Sequence, residues 1–254
     1  MPKERGSQVN FQWSVNKDQQ NFIKEVTKLN PEWENASITF YSPLEKYGFK
    51  EYANLSKGDF WQELNAVCPE DMKSGEFWPS KGAHWDGLAV LQYTVDGVVK
   101  NVLLLFEAKA HAGELMQSKN ARKWNPSSRQ IIERSINDVW RVIAPGKNLS
   151  CWLKSYQLAN RIAHAKHLNA KGIPTVVIYV LYKNDYSFTD YIATDEAWEK
   201  ELSKEYKIMG IEPGAASISD VYKVMTLEAP SKEVLLDSKY INDIVAKKYN
   251  CKKD

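Results

Sequence analysis

The sequence predicts an α/β fold in which helices flank a central β-sheet, and three features indicate it. Two apolar runs on either side of Asp96-Gly97 are typical of a β-hairpin. The nearly continuous β-branched and aromatic run of residues 175–182 is typical of a buried strand with helices on both faces. Segments with apolar residues at helical spacing before and between these strands predict the helices.

Three elements are predicted ahead of the hairpin. Apolar residues at helical spacing predict an amphipathic helix over residues 17–29, which ends before Pro31. A short strand over residues 37–41 could follow. Asp59 could then cap a further helix that runs from residue 60 to about residue 67.

The hairpin itself comprises residues 88–95 and 98–106, with its turn at Asp96-Gly97. Both turn residues tolerate the positive φ that a two-residue hairpin turn requires. Five large apolar residues end the second strand and lead directly into Glu107-Ala108-Lys109, with no turn residue between them. The charged tripeptide is therefore expected to continue the strand.

The open end of the hairpin brings charged side chains together. Because side chains alternate along a strand, Glu107 and Lys109 share one face. If the strands pair symmetrically about the turn, Asp86 lies opposite Glu107 or its neighbours, so that two carboxylates and an ammonium group meet. Alternatively, these residues are a solvated strand end. The Glu-x-Lys pattern recurs at Glu205-Tyr206-Lys207 and is not informative by itself.

Two helices and a strand are predicted after the hairpin. The first helix covers residues 127–143 and is capped by one of its first two serines. The second covers roughly residues 149–170, and its spacing makes Gln157, Arg161 and His164 project together. A lone histidine on a helix more often packs or faces solvent than reacts.

The C-terminal part is less informative. Residues 195–209 are expected to form a helix, residues 219–227 a strand or strand pair, and residues 240–249 a closing helix. These elements either extend the sheet or form the surface of a homodimer, and the sequence does not choose between the two.

The 254 residues fit one domain, residues 1–254, with a core over residues 56–185. Residues 1–55 and 186–254 are then peripheral extensions. The three cysteines lack the spacing of metal ligands, which argues against a zinc site and favours a reducing compartment. Since the N-terminus has no apolar signal core and the longest apolar run is too short to cross a bilayer, we expect a cytoplasmic protein without membrane contact.

The net charge of +2 conceals an uneven distribution. Residues 119–171 carry eleven Lys and Arg against two acidic residues, a local charge of +9. Aromatic residues interleaved with these charges, including Trp140 and Trp152, suit a surface that neutralises phosphates and stacks on bases. Both tryptophans could equally be core residues of helices with basic outer faces.

The polar residues of the hairpin and its flanking helices resemble the core of the PD-(D/E)XK nuclease superfamily over about residues 60–183. The residues that carry this resemblance are Glu63, Asp86, Glu107, Lys109 and Gln157. Residues 78–87, 106–111 and 156–161 are further similar to an uncharacterised bacterial branch of that superfamily. One departure is Trp85, which stands where the superfamily pattern has proline.

The resemblance implies a restriction-endonuclease-like αβββαβ core, with a central mixed sheet flanked by helices, and a nuclease that requires Mg²⁺, for which Mn²⁺ can substitute. Asp86 and Glu107 offer the oxygen ligands that a hard cation prefers. By resemblance, the carbonyl of Ala108 is a further ligand. Glu63 could complete a second metal site, directly or through water.

The remaining site residues are expected to act around the metal. Lys109 can orient or deprotonate the attacking water, or stabilise charge in the transition state. Gln157 is expected to contact the lysine, the water or the nucleic-acid backbone. The residues expected to bind nucleic acid are Arg161, Lys154, Arg122, Lys123 and Trp85. Trp78 and Trp85 could instead fill the apolar shell around the metal.

Two functions follow from this sequence. The first is a magnesium-dependent nuclease that acts on DNA in defence, restriction or repair. The second is a catalytically inactive nuclease-fold module that binds nucleic acid or a protein partner. The presence of both acids and Lys109 favours the enzyme, because a binding module does not need all three.

Overall fold

A five-stranded mixed sheet lies at the centre of the described part of the chain. The structure is a computed structural model that describes residues 6–52, 54–79, 82–115, 124–185, 193–212 and 214–236. The strands are β1 (Ser37–Ser42), β2 (Gly87–Val95), β3 (Val98–Lys109), β4 (Thr175–Lys183) and β5 (Tyr222–Glu228). The helices are α1 (Ser7–Asn16), α2 (Gln19–Thr27), α3 (Phe60–Glu63), α4 (Glu70–Ser74), α5 (Pro126–Ile143), α6 (Leu149–Lys154), α7 (Tyr156–Ala170), α8 (Asp195–Met209), α9 (Ala216–Ser219) and α10 (Lys232–Leu236).

The strands follow one another across the sheet in chain order. The pairs β1–β2 and β2–β3 are antiparallel, whereas β3–β4 and β4–β5 are parallel. Parallel neighbours need a crossover connection, which α5 to α7 provide before β4 and α8 and α9 provide before β5. The described chain is therefore an open α/β sheet flanked by helices.

The register of the hairpin confirms its symmetric pairing. Asp96 and Gly97 both have positive φ, at 51° and 76°, as the tight turn requires. Gly87 pairs with Phe106 at the other end of the hairpin. Asp86, which immediately precedes Gly87, therefore lies beside Glu107, the residue that follows Phe106. β3 continues to Lys109, so the charged tripeptide is part of the strand, as predicted.

The two faces of the sheet are covered by different helices. Leu103 and Leu105 of β3 pack in the core that includes residues of α5, α6 and α7. Leu104 and Phe106 pack in the core that includes residues of α1 and α2. Because side chains alternate along β3, Glu107 continues the set that faces α7. This alternation places the charged end of the strand under α7.

Two predicted helices differ from the structure. The helix predicted over residues 60–67 is the single turn α3, because Asn65 adopts a positive φ of 50° and leaves Val67 76% exposed. The helix predicted over residues 149–170 divides into α6 and α7 at Ser155, whose ψ of 44° is not helical. Both breaks occur without proline, which is why the apolar spacing did not reveal them.

The termini contribute more structure than the sequence indicated. The segments expected to be peripheral supply the two edge strands, β1 and β5, and the helix α1, which was not predicted. The predicted helix over residues 195–209 is confirmed as α8. The predicted strand over residues 219–227 begins later, as β5, and the helix predicted over residues 240–249 lies outside the described residues. Every helix that the structure describes is too short or too polar to span a bilayer.

We predict that the packing of the N-terminal helix α2 on the sheet contributes substantially to the stability of the fold. Phe22 of α2 is buried and its ring contacts those of Phe11, Phe40 and Phe106. Phe22→Ala should therefore lower the free energy of unfolding by about 3–5 kcal/mol in urea titrations. Val142→Ala, at an exposed position of α5, is the control and should cost less than about 0.5 kcal/mol. Equal effects of the two substitutions would show that α2 is only loosely attached.

Candidate active site

A pocket of about 470 Å³ opens at the end of β3, beneath the first turns of α7. Hairpin pairing places Asp86 at this point, strand alternation directs Glu107 to it, and α7 covers it. The residues that line the pocket are Gly82, Ala83, His84, Asp86, Glu107, Trp124, Tyr156, Gln157, Asn160 and Arg161.

Glu107 is a buried carboxylate with donors from two elements. It is only 2% exposed. Lys109 of the same strand donates to its Oε1, as does Gln157 Nε2 of α7 at 2.5 Å. Arg161 of α7 donates from Nε at 2.8 Å and forms an ion pair through Nη2 at 2.6 Å, both to Oε2. Burial acts to raise the pKa of Glu107, but Arg161 and Lys109 outweigh it and hold the pKa below its ordinary value.

Asp86 is in the opposite electrostatic situation. Its Oδ2 accepts one hydrogen bond from the backbone N–H of Ala108, at 2.8 Å. Burial, followed by the charge of Glu107, raises the pKa of Asp86 to about 7, although Lys109 and the Ala108 bond oppose this. The second carboxylate of the pair is thus under-compensated, and an additional positive charge beside it would be favourable.

The donor set fits a hard divalent cation. Asp86 and Glu107 offer carboxylate oxygens, and Lys109 Nζ lies 3.2 Å from the carbonyl oxygen of Ala108, so this carbonyl adjoins the same cluster. Within the described residues no group of three or more acidic, histidine or cysteine side chains could hold a metal ion. A cation would therefore depend on the two carboxylates, the carbonyl and water.

Glu63, expected as a metal ligand, does not reach this cluster. Tyr41 donates to its carboxylate, and Asn101 Nδ2 donates to its backbone carbonyl at 2.8 Å. Asn101 lies six residues before Glu107 on β3, which corresponds to about 20 Å along the strand. The expectation of a second metal site at Glu63 is therefore corrected: α3 crosses the middle of the hairpin and not its charged end.

Glu51 is the acidic residue that sequence reasoning missed. Its charge adds to the burial and to Glu107 in raising the pKa of Asp86. A two-way backbone bridge between Tyr52 and Trp85 brings it there, and Gln8 of α1 donates to its carboxylate. Glu51 stands in an irregular segment without periodicity, so no sequence signal could have identified it.

Lys109 is buried, and its charge acts on a further buried acid, Glu205 of α8. Burial raises the pKa of Glu205 to about 7, while Ser155 and Lys109 act in the other direction. The Glu205-Tyr206-Lys207 repeat of the Glu-x-Lys pattern therefore contains a carboxyl group whose pKa the charge of Lys109 lowers.

Arg161 and Trp85 have structural positions that differ from their expected role in binding nucleic acid. Arg161 is buried; besides Glu107, its Nη2 donates to the carbonyl of His84 at 2.6 Å, and its guanidinium lies 4.3 Å from the centre of the Trp85 ring. Trp85 has no exposed surface and so cannot stack on a nucleotide. Trp85 instead has the other role expected from the sequence, because it belongs to the apolar shell around the site.

His164 also belongs to this shell. Its ring packs among Phe77, Trp78 and Trp85, and its Nδ1 lies 2.9 Å from the carbonyl oxygen of Asn160. Burial lowers the pKa of His164 to about 3, so the ring is neutral at physiological pH. The packing interpretation of this histidine is the one that the structure supports.

Ion pairs neutralise part of the positive charge of the basic segment, residues 119–171. Besides Arg161, which pairs with Glu107, its bases form ion pairs from Arg129 to Glu133, from Lys166 to Asp220 and from Lys171 to Asp71. Of the bases expected to contact nucleic acid, Lys154 is exposed at the end of α6, whereas Arg122 and Lys123 lie outside the described residues.

The aromatic residues of this segment divide between the core and the pocket. Trp152 is buried and donates to the carbonyl of Met209 at 2.9 Å, so the core interpretation holds for it, and the partly buried Trp140 packs against the same core. Trp124 and Tyr156 instead line the pocket.

Comparisons of the chain with protein-family models, with curated proteins and with solved structures found no match.

We predict that Glu205 makes stability depend on pH near neutrality. Its carboxyl group has an ordinary pKa of 4.5 when unfolded and a pKa of about 7 when folded, so the folded state retains a proton that the unfolded state loses. This contribution is complete below about pH 4.5 and is lost as the pH rises through 7. Between about pH 5 and pH 8 the free energy of unfolding should fall by roughly 2–3 kcal/mol relative to that of Glu205→Gln.

Urea titrations of both proteins at several pH values measure this difference. Glu199→Gln, an exposed change on the same helix, is the control and should follow the wild type. Parallel curves for the wild type and Glu205→Gln would contradict the assignment.

Proposed function

We propose that the protein is a divalent-metal-dependent nuclease with a restriction-endonuclease-like core of the PD-(D/E)XK type, and that it hydrolyses phosphodiester bonds, with DNA as the expected substrate. The observation that carries the proposal is the meeting of Asp86, Glu107 and Lys109 at one end of a sheet: Asp86 and Glu107 line a pocket open to a ligand, and the buried Lys109 donates to Glu107. These are an acid pair that can bind a cation and an ammonium group beside it, which suit metal-assisted hydrolysis of a phosphodiester.

The order of the elements supports the proposed core. Helix α2 is followed by the antiparallel strands β1, β2 and β3, and the crossover through α7 leads to the parallel strand β4. An αβββαβ core would then begin at α2 and not at the predicted helix over residues 60–67, with α3 and α4 inserted between β1 and β2. The charged residues lie where the third strand ends.

Asp86, Glu107 and the carbonyl of Ala108 would hold Mg²⁺ or Mn²⁺. Such a cation screens phosphate charge and lowers the pKa of a bound water. Gln157 and Arg161 keep the Glu107 carboxylate oriented, so both act as positioning residues that preserve the ligand geometry.

Lys109 is the residue of this chain best placed to act on the reacting atoms. Its Nζ is held between the Glu107 carboxylate and the Ala108 carbonyl, at the same point as the two ligand groups. From there it can orient the attacking water or stabilise negative charge that develops on the phosphoryl oxygens. Its burial limits competition from bulk water.

One observation favours the second function, a nuclease-fold module that only binds nucleic acid or a protein partner. Within the described part of the chain, the site has two carboxylates and no third metal-binding side chain. If two carboxylates and a carbonyl do not retain a cation, the Glu107 ion pairs serve structure alone.

We predict that cleavage depends on the charged cluster. Asp86→Asn and Lys109→Met, which approximately conserve volume, should each reduce cleavage of plasmid, linear and single-stranded DNA at least about 100-fold with Mg²⁺ or Mn²⁺. Glu63→Ala is a matched control, because sequence reasoning makes it a metal ligand and the structure places it elsewhere. It should retain activity within a few-fold. Activity that survives both Asp86→Asn and Lys109→Met would refute this mechanism.

We also predict that the cation binds the folded protein through Asp86. Mn²⁺ or Mg²⁺ at millimolar concentration should raise the thermal midpoint of the wild type, because a ligand that binds only the folded state stabilises it. The midpoint of Asp86→Asn should not respond, whereas Lys109→Met, which keeps both carboxylates, should still respond. If neither ion stabilises the wild type and nucleic-acid affinity is unchanged in Asp86→Asn, the binding-module function is the correct one.

A further inference from the structure

The pocket beside the candidate catalytic residues has an aromatic wall. The ring centroids of Trp124 and Tyr156 lie 4.6 Å apart, and the buried Trp78 stacks behind Tyr156 at 6.4 Å. Trp124 and Tyr156 are only partly buried, so both retain surface that a ligand can contact. Aromatic rings of this kind can stack on any nucleobase, whatever the sequence of the strand.

Two amide side chains that line the same pocket have buried oxygens without hydrogen-bond partners. Asn160 is 4% exposed, and its buried Oδ1 accepts no hydrogen bond from the residues that the structure describes. The same holds for the buried Oε1 of Gln157, whose Nε2 is engaged with Glu107. An unsatisfied buried acceptor costs about 1–3 kcal/mol, so a turn of either amide oxygen towards a ligand that brings N–H donors would be favoured. Nucleobase edges carry such donors.

The size and place of the pocket narrow the class of ligand. A volume of about 470 Å³ falls in the range for small-molecule sites, which begins at about 300 Å³. Asp86 and Glu107 line the same space, so a nucleotide whose base enters the pocket places its own phosphate near the acids. A paired base in a duplex is covered by its neighbours and reaches such a pocket only when it is extruded.

We propose that this pocket holds one unpaired nucleobase beside the scissile phosphodiester, stacked on Trp124 and Tyr156 with its polar edge towards Asn160 and Gln157. The preferred ligand is then a single strand, or a duplex with an unpaired nucleotide. This inference rests on the proposed nuclease function for the position of the reacting phosphate, whereas the binding preference can be tested without any cleavage.

The test is fluorescence anisotropy in EDTA, with labelled oligonucleotides of about 12 nucleotides. The probes are a single strand, its perfect duplex and the duplex with one bulged nucleotide. The wild type should bind the single strand and the bulged duplex at least about tenfold more tightly than the perfect duplex. Because stacking is common to DNA and RNA, the strand is supplied in both forms, and the form bound more tightly identifies the source of the ligand.

The variants test the wall directly. Trp124→Ala should weaken binding of the single strand and the bulged duplex about tenfold, in line with the loss of one stacked base, without changing binding of the perfect duplex. Trp140→Ala is the matched control, because Trp140 is a partly buried tryptophan of the same basic segment that does not line the pocket.

Equal affinity for the perfect duplex and the single strand, or equal effects of Trp124→Ala and Trp140→Ala, would overturn the proposal. Circular dichroism and the thermal midpoint of each variant establish that it is folded. Since the binding test contains no divalent metal, its outcome is independent of the cleavage assay. Loss of cleavage would contradict the nuclease function but not the base pocket, and loss of the single-strand preference would contradict the base pocket but not the nuclease function.

Discussion

The rest of the site depends on the burial of one carboxylate, Glu107, at the end of β3. An ionised carboxylate in this position is tolerated only with charged and hydrogen-bonding partners, since its desolvation costs several kcal/mol. Lys109 satisfies it from the same strand face, and Gln157 and Arg161 satisfy it from α7. The network therefore fixes α7 over the strand end, and the stacking of Arg161 on Trp85 anchors the network in the apolar core.

The same network makes the acid pair asymmetric. Three donor side chains converge on Glu107, whereas Asp86 receives one backbone N–H and the charges of Glu107 and Glu51. Neighbouring carboxylates whose surroundings push their pKa values apart are typical of sites with distinct chemical roles. In this chain, Glu107 is the oriented group, and Asp86 is the group whose charge still requires compensation.

The parts of the site that the sequence predicted are those that local rules determine. Turn chemistry at Asp96-Gly97 sets the register, and alternation along β3 then places Asp86, Glu107 and Lys109 together. The helical spacing of Gln157 and Arg161 is equally local. Which further acid lies near the pair could not be predicted from the sequence. The short helix α3 keeps Glu63 away from the charged cluster, whereas the backbone bridge between Tyr52 and Trp85 brings Glu51 close to Asp86.

The surface charge illustrates the same limit. Along the chain, basic residues are concentrated in residues 119–171. In the folded protein, however, some of these bases pair with acids from other elements: Asp71 of α4 and Asp220, which follows α9. Neutralised bases release fewer counterions from nucleic acid, so they contribute less to affinity. What α7 offers instead is a combination of functions on successive turns: Tyr156 for stacking, Gln157 and Arg161 for Glu107, and Asn160 for the pocket. Recognition and chemistry would then be coupled through one rigid helix, and a base seated against α7 would hold its own phosphate at the acid pair.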